Sequence, residues 1–129
     1  MHVLCIDDEA ISRRVIREVL RTADITVTEA SDAEAGLALL DTLPVDLILM
    51  DLRMPGMDGL AAIRAIRARQ DGVASAPVIL ITADTSEDLT ELSAAAGANA
   101  MVHKPVDMRV LFDAIAGVMY GGLSAATLS

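Results

Sequence analysis

A chain of 129 residues, 53% of them apolar, is long enough to close around one hydrophobic core and too apolar to remain disordered. Its net charge of −9 argues against non-specific nucleic-acid binding, which needs a basic footprint, and no apolar stretch approaches the roughly 20 residues of a membrane helix. A single cysteine, Cys5, rules out an internal disulfide and reads as a small buried hydrophobe. With no basic leader ahead of it, this fits a cytoplasmic address.

The first apolar run, His2–Ile6, predicts a strand and ends on Asp7-Asp8-Glu9. Ile11, Val15, Ile16, Val19 and Leu20 then recur at helical spacing, which predicts a helix over Ser12–Thr22 with these residues on its core face. A second strand is expected at Ile25–Glu29 and a second helix at Asp32–Asp41, capped by Ser31. The third strand, Asp46–Met50, ends on Asp51. It is followed by Arg53-Met54-Pro55-Gly56-Met57-Asp58-Gly59, where Pro55 and two glycines fix a tight loop. Helix then resumes from Gly59 to Arg69, and residues 70–76 form a loop. The fourth strand, Val78–Ile81, ends on Thr82; the helix after it spans Ser86–Ala96, with Ser86 as its cap and Gly97 as its stop. Ala100–Val102 leads through His103 to Lys104, and the last helix runs from Asp107 to Tyr120. Residues 1–120 form the domain; the small, polar residues 121–129 are expected to be a tail or a linker stub.

Apolar runs without alternation are the mark of strands buried on both faces, and helical crossovers make such strands parallel. Their C-terminal ends then share one edge of a three-layer α/β sandwich. Asp7, Asp8, Asp51, Thr82 and Lys104 all lie at those ends, so the topology gathers them into one pocket. Two unit charges about 4 Å apart repel by roughly 4 kcal/mol at an effective dielectric of about 20. Three carboxylates in one pocket therefore share a proton or hold a cation. Mg²⁺ suits an all-oxygen set, whereas zinc would want His or Cys at ligand spacing. One carboxylate can then attack phosphorus while Lys104 and Thr82 supply counter-charge and a hydroxyl, and the small Ala83 leaves access open. Taken singly, each of these residues has an ordinary structural role; the set of five at consecutive strand ends does not. Arg13, Arg14, Arg17 and Arg21 on the first helix, with Arg64, Arg67 and Arg69 on the third, read as a solvated face or as a dock for an acidic or phosphate-bearing partner.

With these residues in place, the sequence resembles the receiver domain of two-component response regulators. The resemblance rests on Asp7-Asp8-Glu9, the run from Asp46 to Asp51, Met54-Pro55-Gly56-Met57-Asp58-Gly59, Thr82-Ala83 and Lys104-Pro105, and it spans residues 1–120. It implies a flavodoxin-like fold with five parallel strands in the order 2-1-3-4-5 and five helices. It further implies that Asp51 accepts a phosphoryl group from a histidine kinase or a histidine phosphotransfer protein. Mg²⁺ would be held by Asp8, Asp51 and the carbonyl of Arg53, with Asp7 acting through a water. Thr82 and Lys104 would bind phosphoryl oxygens, and the Lys104–Pro105 bond would be cis. Arg53 and Asp84 would face each other across the pocket as an ion pair that shields the acyl phosphate from water. The position three before the lysine, often aromatic in the family, is Met101, so a tyrosine-type switch is not expected; Met101 reads as core.

The resulting expectation is a switch acting through the face of the fourth helix, fifth strand and fifth helix toward a downstream protein. It catalyses only its own phosphorylation and dephosphorylation. Neither a helix-turn-helix nor an output domain follows Tyr120, so the chain reads as a stand-alone receiver or one cut from a hybrid histidine kinase or larger regulator. Two rivals are weaker. An aspartyl-nucleophile phosphatase would want Asp-x-Asp at the first strand end and a cap domain, and a purely structural domain would not keep the five-residue set.

Overall fold

The computed structural model describes residues 1–121; most of the expected tail, residues 122–129, lies outside the described residues. Strands and helices alternate in the order β1 (His2–Ile6), α1 (Ala10–Arg21), β2 (Thr26–Ala30), α2 (Ala33–Leu39), β3 (Leu47–Asp51), α3 (Gly59–Arg67), β4 (Val78–Thr82), α4 (Leu89–Ala96), β5 (Ala100–His103) and α5 (Met108–Tyr120). The five strands form one sheet in the order β2-β1-β3-β4-β5, and every neighbouring pair is parallel. This is the flavodoxin-like architecture and the strand order that the resemblance implies.

Because strand side chains alternate, the sheet serves two cores. Leu4, Ile6, Ile48, Met50 and Leu80 join Ala62, Ile63 and Ile66 of α3 and Leu89 and Ala96 of α4 on one face. Val3, Cys5, Leu49, Ile79 and Val102 join Ile16 and Leu20 of α1 and Leu111, Ala114 and Ile115 of α5 on the other. All five residues of β3 and of β4 are buried, which is why these strands read as unbroken apolar runs.

Several local expectations shift. β3 and β4 each extend one residue further than their apolar runs, so Asp51 and Thr82 are the last residues of their strands. α2 is capped by Asp32 and not by Ser31: Asp32 is extended and its carboxylate accepts the Ala35 N–H at 2.7 Å. α4 begins at Leu89, three residues after the expected start, because both the Ser86 hydroxyl and its amide are committed to the Asp84 carboxylate. Residues 72–75 of the expected loop wind into a short 3₁₀ turn. On α1 the apolar face is narrower than its spacing implies. Ile16 and Leu20 are buried, whereas Ile11 and Val15 stand 79% and 43% exposed beside Pro105 and Val106 in an open groove.

Most of the clustered arginines are used internally. Arg13 and Arg17 both pair with Glu29 of β2, Arg21 pairs with Glu18, and Arg69 with Asp41 and Asp71. Arg67 reaches across from α3 to the far end of α4. It donates to the carbonyl of Gly97 at 2.7 and 3.0 Å, to those of Ala74 and Ala76 at 3.0 and 2.6 Å, and to the Asn99 side chain at 2.9 Å. Gly97 stops α4 in the left-handed region at φ 111°, as expected. Among the described residues Arg14 and Arg64 of the two clusters are exposed and without an ion pair, and Arg21 stays 76% exposed despite its pair with Glu18.

Candidate functional site

The strand register sets the site. Ile6 pairs with Met50, so the residues that follow, Asp7 and Asp51, emerge side by side from β1 and β3. Thr82 pairs with His103, and the Lys104 amide donates to the Thr82 carbonyl at 2.8 Å, which delivers the lysine to the same edge. The ends of four strands thus converge as the topology requires.

Asp7 is almost wholly buried and held from three sides. Its N–H donates to the Ala30 carbonyl at 3.1 Å, its own carbonyl accepts from Arg13 Nη1 at 2.6 Å, and its Oδ1 accepts the Glu9 N–H at 2.9 Å. The remaining oxygen, Oδ2, is buried with no hydrogen-bond partner. Lys104 Nζ lies 3.1 Å away, within ion-pair range but without hydrogen-bond alignment. Asp51 is equally enclosed at 4% exposure. Burial raises its carboxyl to a pKa of about 7, reinforced by the neighbouring charge of Asp7 and opposed by Lys104. Two buried carboxylates that share one ammonium leave the site short of positive charge.

Lys104 partly fills that need. It follows β5 directly, and its peptide bond to Pro105 is cis, as the resemblance implies. Its ammonium lies 3.0 Å from Glu9 Oε1, 3.1 Å from Asp7 Oδ2 and 3.4 Å from Asp51 Oδ1. Burial disfavours its charge, but the hydrogen bond to Glu9 and the attraction of Asp7 and Asp51 outweigh that and raise its pKa. One ammonium thus serves three carboxylates.

The carboxylate oxygens of Asp7, Asp8, Glu9 and Asp51 can all lie within 4.8 Å of one another. The donor set is hard oxygen with no histidine or cysteine, the orphaned Asp7 Oδ2 faces it, and one cation does not balance it; these residues fit a Mg²⁺-type ion. Glu9 belongs to the Asp7-Asp8-Glu9 motif, but the sequence pattern assigns it no role of its own. As an exposed acid at the start of α1 it looks like ordinary helix-terminal charge, and only the fold brings it to Lys104.

A cavity of about 270 Å³ opens over Asp51, lined by Glu9, Asp51, Arg53, Ala83, Asp84 and Lys104. Arg53 and Asp84 form the expected ion pair across its rim, with Arg53 77% exposed. Asp84 titrates low, at about 2, held there by the hydroxyl and amide of Ser86 and then by Arg53. Thr82 is buried at the end of β4, and its Oγ1 accepts the Asp84 N–H at 2.9 Å, which leaves the hydroxyl proton free to donate. The loop after Asp51 is anchored by Gly59, whose N–H donates to the Leu52 carbonyl at 2.9 Å. Met101, in the family's switch position, lies in the core with Leu80, Leu89 and Ala96 at 9% exposure. Cys5 is buried and its thiol is pushed up to about 12 by burial, which makes it inert as a nucleophile.

The family model of the response regulator receiver domain matches residues 3–116, and the chain belongs to that family. It is 36% identical over 116 residues to the chemotaxis protein CheY of Pseudomonas aeruginosa, covering 89% of this chain and 93% of that one. It is also 35% identical over 119 residues to the sensor histidine kinase AruS of the same organism, covering 92% of this chain but 12% of the kinase. Among solved structures, the chemotaxis protein CheY4 of Vibrio cholerae superposes with a TM-score of 0.85 at 28% identity, covering 91% of this chain and 97% of that one. The chain is therefore a receiver domain of the two-component signalling systems, a family whose members engage histidine kinases and downstream targets. Among the described residues no helix is long and apolar enough to cross a membrane.

Proposed function

We propose that this receiver is a phosphorylation-driven switch or relay in which Asp51 is the acceptor. The observation that carries the proposal is the meeting of a buried carboxylate pair, Asp7 and Asp51, with a single lysine ammonium 3.1 Å from Asp7 and 3.4 Å from Asp51. An oxygen of Asp51 attacks the phosphorus of a phosphohistidine on a histidine kinase or histidine phosphotransfer protein. The N–P bond breaks, the histidine nitrogen keeps the electron pair, and an acyl phosphate forms on Asp51. Such transfers have a loose transition state, so positioning and counter-charge supply most of the catalysis. Lys104 takes one phosphoryl oxygen and the free Thr82 hydroxyl proton another. Asp7, Asp8 and Asp51, with the backbone carbonyl of Arg53, would hold Mg²⁺, which when bound offsets the charge on the phosphoryl oxygens. Arg53 and Asp84 narrow the approach of water to the product.

Turning Thr82 toward the phosphoryl group releases the Asp84 N–H it now accepts and biases the loop leading into α4. The α4–β5–α5 face, with Leu92 and His103 exposed, is the surface offered to a downstream protein. The only chemistry is its own phosphorylation and dephosphorylation, in a cytoplasmic setting. The likeness to a segment of a sensor kinase favours a second context, a receiver module within a longer chain, with the same chemistry.

The test is intact mass after incubation with acetyl phosphate and Mg²⁺. One phosphoryl group is expected on the wild type and none on Asp51→Ala or without metal. A wild type that stays unlabelled overturns the proposal.

A further inference from the structure

Glu9 stands at the mouth of the Asp51 cavity, on the open side of the acid cluster, with its carboxylate bonded to Lys104. Of the three carboxylates around the Lys104 ammonium it makes the shortest contact, 3.0 Å, yet its side chain is 64% exposed, against 2% for Asp7 and 5% for Asp51. The buried pair is fixed by the fold. The Glu9 carboxylate reaches Lys104 from the solvent side and has no other partner among the described residues. On the same rim, Arg53 is tied to Asp84. Both cations that line the cavity are therefore already engaged by rim acids before any phosphoryl group arrives.

A small, free phosphodonor such as acetyl phosphate enters as a multiply charged anion with little binding surface of its own. It meets the Glu9 and Asp84 carboxylates first, and it must displace Glu9 to reach Lys104. A phosphohistidine carried on a protein approaches as part of a larger interface, whose binding energy drives the same displacement. We infer that Glu9 is a specificity-determining residue, an acidic screen that withholds Lys104 from small free phosphodonors. This rests on the reading of Asp51 as the acceptor. The reaction it slows forms the bond between a carboxylate oxygen of Asp51 and phosphorus, breaks the bond from phosphorus to the acetyl oxygen, and releases acetate with the electron pair.

The experiment compares initial rates of Asp51 phosphorylation by acetyl phosphate in wild type, Glu9→Gln and Glu9→Ala, at saturating Mg²⁺ and at low and high salt. Both variants are expected to gain label about threefold or more faster than wild type at low salt, and the advantage should shrink as salt screens the charge. Titration of Lys104 by NMR supplies a readout independent of turnover, since losing Glu9 should lower its pKa. Rates equal to or below wild type in both variants overturn the role of Glu9 while leaving Asp51 as acceptor. No label in any of the three proteins overturns the acceptor reading and this inference with it.

Discussion

Gly59 presses against the backbone of Asp51: a Cβ built on it would sit 2.3 Å from the Asp51 carbonyl oxygen and 2.9 Å from Cα of Leu52. The start of α3 therefore rests directly on the end of β3, and the loop between them closes without slack. Both obstructing atoms are backbone, which cannot swing aside as a side chain would. Gly59→Ala should destabilise the domain by about 1–3 kcal/mol, as overpacking does, and slow acceptance of phosphate. Denaturant unfolding checks the first effect and acetyl phosphate labelling the second.

Asp51 gives the domain a pH dependence with a definite sign. Its folded pKa of about 7 lies above that of an unfolded aspartate, so between those values the native state binds the extra proton. Stability therefore falls as pH rises from about 4 through about 7 in the absence of metal. Asp51→Asn should remove that slope and make the metal-free domain more stable at pH 8, by about 1–3 kcal/mol. Urea unfolding of both proteins at pH 5 and pH 8 is the measurement.

Magnesium should reverse the same deficit. An ion that binds only the folded state stabilises it by about 1.4 kcal/mol at ten times its dissociation constant. A rise in melting temperature with added Mg²⁺ at pH 8 is expected for the wild type. Asp7→Asn, which removes charge at the orphaned Oδ2, should blunt it.

The Arg53–Asp84 pair predicts a kinetic effect without a stability effect. Arg53 is largely solvent-exposed, so breaking the pair should change stability by only about 0–1 kcal/mol. Arg53→Ala should nonetheless shorten the lifetime of the acyl phosphate by opening the approach to water. Decay of the labelled protein after removal of the donor measures it, and an unchanged lifetime would count against the shield.

Arg67→Met should behave in the opposite way. It strips donors from the carbonyls of Ala74, Ala76 and Gly97, which the guanidinium now satisfies together. A cost of about 2–4 kcal/mol follows from leaving part-buried acceptors unpaired. Faster hydrogen exchange around Asn99 would locate the damage.

The architecture was legible because parallel strands buried on both faces cannot disguise themselves. Leu47 to Met50 and Val78 to Ile81 contain no polar residue to blur the signal. The gathering of Asp7, Asp51 and Lys104 followed from topology alone. What escaped depended on competition between equals or on distance in the chain. Ser31 and Asp32 are both good caps, and backbone conformation chose the second. Ser86 was available to cap α4 until Asp84 claimed it. Ile11 and Val15 obey the helical period, yet α1 leaves them beside Pro105 and Val106 in an open groove. Nothing in the spacing of the arginines announces that Arg67 will bond the carbonyls of Gly97, Ala74 and Ala76. Glu9 beside Lys104 is likewise a fact of the folded chain.

The two ends of α4 are unequally fastened. Its last turn is clamped through Gly97 by Arg67, while its first residue follows Asp88, whose side chain makes no capping bond. A rod pinned at one end answers a push at the other by pivoting. A displacement of the Asp84–Ser86 loop is then resisted at the first turn by the packing of Leu89 alone and at the last turn by Arg67 as well, so the first turn should travel further than Ala96.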